Sequence, residues 1–305
     1  MNTINCPICD TNSFKIYKTI NSFVEKIPDG LDRRQEVNVN IYKCNSCKLL
    51  KTEDLNQKTK FENLYRSESI SFDASLSKHK NSSSSTLTND ELKIISKKPP
   101  ASLLEIGCGA GHFLQRAHNH GYEVLGIDID SKAIEFVKEK LKLNVLNTDL
   151  SSLNINKKFD VIVLIGVFEH IEDPNNLINL IKSLLKKDGE IMLALPNVFS
   201  INRFVAYFSR NEWDMFLEPG HIFHYQKSNL VRIFNKNGMK LTKFSTASTK
   251  IRGKIPFLPT RNKGIETSIK KVVENNFLAR LFYVSVLKFL DIFRLGDIIL
   301  VKFKF

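Results

Sequence analysis

The chain has 305 residues, enough for one full catalytic domain and a smaller companion. Its 45 basic against 32 acidic residues leave a formal charge of +13, which favours an anionic partner without choosing between nucleic acid, a membrane surface and a charged small molecule. In the apolar C-terminal stretch the longest uncharged run is Leu281–Leu287, far short of the ~20 residues that span a bilayer, so that stretch does not cross one.

From the N-terminus, Cys6-Pro7-Ile8-Cys9 and Cys44-Asn45-Ser46-Cys47 form two Cys-x-x-Cys pairs 34 residues apart. Two such knuckles present four thiolates in the arrangement of a tetrahedral structural zinc. With all four ligands from protein, the metal has no open position and holds the fold without taking part in chemistry. The first residues, Met1–Asn5, lack the basic start and apolar core of a secretory signal. The expectation is a reducing, cytoplasmic setting in which disulfides are rare. Between the knuckles, alternation such as Val37-Asn38-Val39-Asn40-Ile41-Tyr42 predicts the hairpins of a ribbon, giving a domain over 1–55.

Residues 56–98 read as a linker or lid. Asn56–Tyr65 suits a short helix, and the serine-rich run around Asn81–Ser85 has too little apolar surface to bury. Leu87–Ser96 is a helix ended by Lys97-Lys98-Pro99-Pro100.

A third domain is expected over 99–247. Leu103-Leu104-Glu105-Ile106-Gly107-Cys108-Gly109-Ala110-Gly111 is a buried strand running into a tight turn, and Phe113–Ala117 starts a helix. Glycines at alternate positions allow positive backbone angles and close approach of a ligand to bare main chain. A dinucleotide fingerprint would read Gly-x-Gly-x-x-Gly. An acid inside the turn would repel a pyrophosphate, whereas it can pair with a cationic amine. The pattern Glu105-x-Gly107-x-Gly109-x-Gly111 resembles motif I of the class I S-adenosylmethionine-dependent methyltransferases. That resemblance implies that the strand is the first of seven in a mostly parallel sheet, that Glu105, Gly107, Gly109 and Gly111 bind the cofactor S-adenosylmethionine, and that an aromatic segment ahead of it, around Tyr65 and Phe72, folds over it.

Later segments keep the alternation of a doubly wound, Rossmann-like α/β fold, with ligands at the carboxyl ends of the strands. Gly121–Asp130 is a strand ending in acids, with Asp128 placed to accept the ribose hydroxyls and Asp130 to cap the next helix. Strands follow at Leu143–Leu146, Phe159–Ile165 and Glu190–Leu195. By the resemblance, Asp149 faces the adenine amine. After the fifth strand, Phe199–Phe216 is aromatic and includes Trp213, and a loop carries His221 and His224 ahead of Tyr225. A helix with Leu230, Ile233 and Phe234 on one face ends at Gly238 and leads to a strand from Met239 to Phe244. Trp213, His224 and Tyr225 are candidate substrate residues.

Transfer to a hydroxyl needs alignment and removal of a proton, for which histidine is the natural base. His221 ranks first and His170, beside Glu169 at the end of the fourth strand, second. The histidine loop and the cysteine ribbon are similar to those of bacterial sugar methyltransferases. Their fuller Tyr-His-Glu-His signature is here replaced by Glu218-Pro219-Gly220 before His221, which points to O-methylation. The implied substrate is a nucleotide- or lipid-linked sugar. A quinone-like lipid phenol is the alternative, because Glu169-His170-Ile171 also resembles enzymes of that kind. A zinc-ribbon RNA-binding protein is the non-enzymatic alternative, but the ribbon lacks an aromatic and basic recognition motif, so no nucleic acid is expected.

The last expected unit, 248–305, holds 12 basic against 4 acidic residues. Read as a basic amphipathic helical extension carrying Phe282, Phe289 and Phe293, it either lies peripherally on an anionic membrane, at its inner face, or packs on protein.

Overall fold

A computed structural model of the chain describes residues 5–26, 33–53, 88–150, 152–153, 155–218, 220–248 and 275–305. The helix expected over Asn56–Tyr65, the serine-rich run, Tyr65 and Phe72 lie outside the described residues.

The N-terminal segment is a hairpin, β1 (Phe14–Lys26) against β2 (Arg33–Cys44), to which a short β3 (Leu50–Thr52) adds. Helix α1 (Thr88–Ile94) leads into β4 (Ser102–Ile106), and the glycine turn then delivers α2 (His112–Asn119). β5 (Glu123–Asp128) is followed by α3 (Ser131–Phe136), whose N-cap Asp130 accepts from the backbone N–H groups of Lys132 and Ala133, the cap role expected of it. Next come β6 (Val145–Asn147), β7 (Phe159–Ile165), a 3-10 turn at Phe168–His170, α4 (Pro174–Leu184) and β8 (Leu185–Pro196). The remainder is α5 (Ile201–Phe208), α6 (Asp214–Leu217), β9 (Phe223–His224), α7 (Lys227–Lys236), β10 (Lys240–Ala247), α8 (Phe277–Ile292) and β11 (Ile298–Lys304).

Seven strands make the main sheet in the order β10-β11-β8-β7-β4-β5-β6, parallel except for β11. Alternation along the central strands feeds two cores. Leu104, Ile106, Ile162, Leu164, Ile191 and Leu193 point to one face, while Leu103, Val161, Val163, Met192 and Ala194 point to the other. Both faces are therefore covered, as the near-continuous apolar strands require. Every parallel strand ends toward the same edge, which gathers the glycine turn, Asp128, Asp149, Glu169 and His170 there.

The reading of 248–305 as a helical extension holds for α8 and fails beyond it. Ile298–Lys304 is a strand inserted between β8 and β10, with Ile299, Leu300, Val301 and Phe303 buried. Its alternate basic residues hid it from a helical reading. Lys302 and Lys304 are both held by the buried carboxylate of Glu190 on the neighbouring strand, at 3.6 and 3.2 Å. Among the described residues no helix is long and apolar enough to cross a membrane.

The ribbon is not a detached module. β3 pairs antiparallel with β9, so the small sheet runs β1-β2-β3-β9 and takes its last strand from the catalytic half of the chain. Side chains reinforce the junction: Asn229 donates to the Cys47 carbonyl and Asn175 to that of Pro7, both at 2.8 Å.

Candidate functional site

The glycine turn is tied to the strand beside it. Gly107 and Cys108 donate backbone N–H groups to the Ile127 carbonyl at 2.8 and 3.1 Å, and Gly109 donates to the Asp128 carboxylate at 2.7 Å. Gly107 has φ +72°, and a Cβ there would stand 2.4 Å from Val167 Cγ2, so only glycine fits between the turn and the end of β7. Gly109, at φ +49°, faces open space: a Cβ there would meet no atom within 4 Å. Main chain without a side chain at Gly109, bordering open space with a carboxylate at its rim, is a cradle for a flat polar ligand.

Asp128 closes that rim. One oxygen takes the Gly109 bond and the other accepts from the Asp130 N–H at 2.9 Å. Each oxygen keeps lone-pair capacity for a vicinal diol. Burial lifts the carboxyl above its ordinary range in spite of both bonds. Asp149 stands at the end of the next strand, where Thr148 donates to the Asp128 carbonyl, and its own carboxylate accepts from Ser152 N–H at 2.7 Å. Glu105 lies deeper than an exposed amine partner would, at 3 % exposure under the first turn of α2. Burial, and then neighbouring Glu91, hold its carboxyl well above the usual range, with Arg116 opposing. Its Oε2 is buried with no hydrogen-bond partner among the described residues. An orphaned acceptor beneath a cradle fits a ligand that brings an ammonium group. The residues present therefore fit S-adenosylmethionine.

The expected bases come together. His170 and His221, 51 positions apart in the chain, have ring centroids 4.7 Å apart in an edge-on arrangement. The His170 Nδ1–H donates to the Gly220 carbonyl at 2.9 Å and the His221 Nδ1–H to the Met215 carbonyl at 3.0 Å. A carbonyl can only accept, so both protons sit on Nδ1 and both Nε2 atoms present lone pairs. Burial, then the adjacent His221, push His170 down to about 4, the Gly220 bond opposing; burial also lowers His221. Both imidazoles are neutral at neutral pH. Glu169, 2 % exposed, reaches the same point: its Oε1 lies 3.9 Å from His221 Nε2, and burial pushes its carboxyl up to about 8.

The expected substrate residues separate. Trp213, Phe216 and His224 form one aromatic group, with ring centroids 5.0 Å apart for Trp213 and Phe216 and 4.8 Å for Phe216 and His224. They pack with Val39, Ile41 and Leu50 of the ribbon. His224 is bonded to the Thr52 hydroxyl at 2.8 Å. Tyr225 is sent by strand alternation to the opposite side, 1 % exposed against Phe168, whose ring centroid is 5.1 Å away. The sequence named Glu169 only as a neighbour of His170; the acid-histidine pair three residues after Gly166 at a strand end was the available signal. Nothing in the chain announced the partnership of Thr52 and His224.

At the other end of the ribbon the two knuckles repeat each other. Cys6 N–H donates to Thr11 and Asp10 N–H to the Cys6 carbonyl, matched by Cys44 N–H to Leu49 and Lys48 N–H to the Cys44 carbonyl. Asp10 and Lys48, each just past its second cysteine, share positive φ values of 54° and 62°. All four sulfurs lie within 4.8 Å of one another, and all four cysteines are free of disulfides. The closest pairs, Cys6–Cys47 and Cys9–Cys44, are 3.4 and 3.5 Å apart. Tetrahedral bonds of about 2.3 Å to zinc place sulfurs roughly 3.8 Å apart, so the donor set fits that ion.

Similarity to known proteins agrees with this geometry. A family described as "Methyltransferase domain" matches residues 84–243, just over half of the chain. A ubiquinone biosynthesis O-methyltransferase from Pelagibacter ubique is 31 % identical over 168 residues, covering 49 % of this chain and 70 % of that protein. Its counterpart from Haemophilus ducreyi is 31 % identical over 106 residues, covering 31 % of this chain and 45 % of that protein, so the match spans under half of that relative's length. Among solved structures, a chain from the complex between the Trm112 methyltransferase activator and a methyltransferase of Haloferax volcanii aligns with a TM-score of 0.53 at 14 % identity. It covers 76 % of this chain and 95 % of that one, a likeness of fold.

Proposed function

The chain belongs to the methyltransferase-domain family and is an S-adenosylmethionine-dependent methyltransferase, and on that premise we propose that its acceptor is the hydroxyl of a quinone-like lipid phenol held at Glu169, His170 and His221. The observation that carries this reading is the edge-on pair of His170 and His221, each ring held through Nδ1 by a backbone carbonyl, with His221 Nε2 3.9 Å from Glu169 Oε1. Resemblance to two ubiquinone biosynthesis O-methyltransferases supports the phenol.

In this reading Asp128 holds the ribose hydroxyls, Asp149 the adenine amine, and Gly107, Gly109 and Gly111 give the ligand its bare backbone. Bound there, S-adenosylmethionine supplies a methyl group already activated by its sulfonium. The protein aligns the acceptor and accepts its proton. His221 takes that proton on Nε2, its ring fixed by the Met215 carbonyl, and His170 holds the loop through Gly220. Cys6, Cys9, Cys44 and Cys47 hold a structural zinc. Exposed Tyr207 and Phe208 of α5 with Phe282, Phe289 and Ile292 of α8 bring the enzyme to an anionic membrane, where a lipid acceptor would be found.

A sugar hydroxyl is the second reading, favoured by the cysteine ribbon and by its direct pairing with the histidine loop. One assay separates the two. Full-length protein is given labelled S-adenosylmethionine with a polyprenyl catechol or with nucleotide sugars. Label on the catechol oxygen, lost by about 100-fold or more in His221→Ala while cofactor binding persists, supports the phenol; label entering only the sugar overturns it.

A further inference from the structure

We propose that Arg203, Tyr17 and Lys43, where α5 meets the ribbon, form a binding site for an acidic oxygen group, a carboxylate or a phosphate, carried by the methyl acceptor. The inference rests on the acceptor site assigned above and narrows its ligand to a phenol that bears an acid away from the reacting hydroxyl.

Arg203 is a cation with its plane fixed and its charge unanswered. Its guanidinium donates to the Val198 carbonyl at 2.9 Å and to the Tyr17 hydroxyl at 3.3 Å, and it lies over the rings of Trp213 and Phe216, 6.0 and 5.9 Å from their centroids. Two rings and a carbonyl orient the fork and leave its other N–H groups unspent. Among the described residues no carboxylate pairs with it; burial lowers its pKa, with only Tyr17 opposing. A partly buried guanidinium that has stacking partners and no counter-ion is completed by an anion, which the fork can take through two parallel bonds.

Tyr17 comes to Arg203 through an irregularity in the hairpin. Ile16 pairs with Tyr42 and Lys18 with Ile41, so Tyr17 is the extra residue of a β-bulge, a device that re-aims a side chain. Its hydroxyl accepts from Arg203 and keeps its own proton to donate. Lys43, on the neighbouring strand, holds its ammonium 5.2 Å from the centre of the Tyr17 ring, again with no carboxylate partner among the described residues. Lys18 is different, because Glu212 already answers it at 2.6 Å. A guanidinium and an ammonium, both lacking a counter-ion, therefore flank one phenol.

Aromatic contacts join this cluster to the reacting histidines. The Phe216 ring is 4.8 Å from His224, and His224 is 6.1 Å from His221. Burial, then His221 and Arg203, hold His224 well below the ordinary histidine range, so one ring feels both ends of the row. An acceptor with its hydroxyl at His221 runs along this aromatic wall and sets its acid against Arg203. The ribbon thereby contributes to the acceptor site, which gives its pairing with β9 a role in recognition.

Trp213, the only tryptophan of the chain, lies against Arg203 and reports occupancy by its fluorescence. Full-length protein holding S-adenosylhomocysteine is titrated with dihydroxyphenylpropanoate, with the corresponding amide, with inorganic phosphate and with phosphatidylglycerol vesicles. The acid should bind saturably and about tenfold or more tighter than the amide. Arg203→Gln should bring the two within about threefold, Arg203→Lys should restore part of the difference and Tyr17→Phe should reduce it, all three still binding S-adenosylmethionine. In methyl transfer the preference for the acid should appear in KM and leave kcat alike for the two. Equal binding of acid and amide by wild-type protein overturns the inference, as does a preference that survives Arg203→Gln. A Trp213 response to phosphate or to vesicles that the acid cannot displace assigns the site to free phosphate or to a lipid headgroup and overturns an acid on the acceptor. Binding of the acid through Arg203 in a protein that methylates no phenol supports the anion site and overturns the phenol instead.

Discussion

Leu50 of the ribbon and His224 of the histidine loop are cross-strand partners, joined where β3 meets β9. The loop that presents His221 is therefore held by a sheet to which the cysteine cluster is joined, Cys44 following Lys43, the cross-strand partner of Leu50.

Disrupting that cluster, proposed to hold zinc, should consequently reach the reaction. Cys6→Ser with Cys47→Ser is expected to lower kcat/KM for the acceptor by about tenfold or more, equivalent to ~1.4 kcal/mol. Affinity for S-adenosylmethionine, whose site lies on the other side of β7, should change by less than about threefold. Steady-state kinetics beside calorimetric cofactor titration check the split; equal losses in both would mean general unfolding.

The glycine turn offers a paired test. Gly107→Ala drives a Cβ to 2.4 Å from Val167 and forces a positive φ on alanine, so a loss of about 2–4 kcal/mol of stability is expected. Gly109→Ala meets no neighbour, so its stability cost should stay near ~1 kcal/mol. Its methyl group enters the cradle, and the cofactor dissociation constant should rise tenfold or more. Thermal melts with and without S-adenosylmethionine distinguish the two.

Asp160 sets a pH dependence of stability. Burial alone would raise its carboxyl, but the Lys186 hydrogen bond and those from the backbone and hydroxyl of Ser102 outweigh it and bring it to about 2, below the ordinary 3.8. A depressed carboxyl contributes stability above its unfolded value and loses it as pH falls through the folded one. Asp160→Asn should cost about 1–2 kcal/mol at pH 7, a difference that shrinks between pH 4 and 2. Urea titrations across that range read it out.

Exposed apolar residues of α8 should matter to membrane affinity and little to folding. Phe282 and Ile292 are 73 % and 75 % exposed. Phe282→Ser with Ile292→Ser is expected to weaken sedimentation with anionic vesicles by tenfold or more, while stability shifts by under about 0.5 kcal/mol. Unchanged sedimentation would place those faces against protein.

Legibility followed the range of the contacts. The glycine turn, Asp128 and both knuckles are local patterns, and each stands where its spacing puts it. Phe159–Ile165 matches its strand end to end. What escaped depends on residues far apart in the chain. Whether His170 and His221 present Nε2 rests on carbonyls at Gly220 and Met215. Nor did the sequence show that Tyr225, just past the two-residue strand, lies in the core while His224 turns to the ribbon. Lys302 and Lys304 disguised a buried strand because their charges are answered by Glu190, more than a hundred positions earlier.

Threading β11 between β8 and β10 also has a cost during synthesis. Those two strands have no hydrogen bonds to each other; on the sides that face, each bonds only to β11, made after both. Any ribosome-bound chain stopped between 248 and 297 thus displays a long greasy edge at Ile191, Leu193 and Leu195 with nothing to mate with. That interval is when chaperone holding or premature aggregation would decide the yield of folded enzyme.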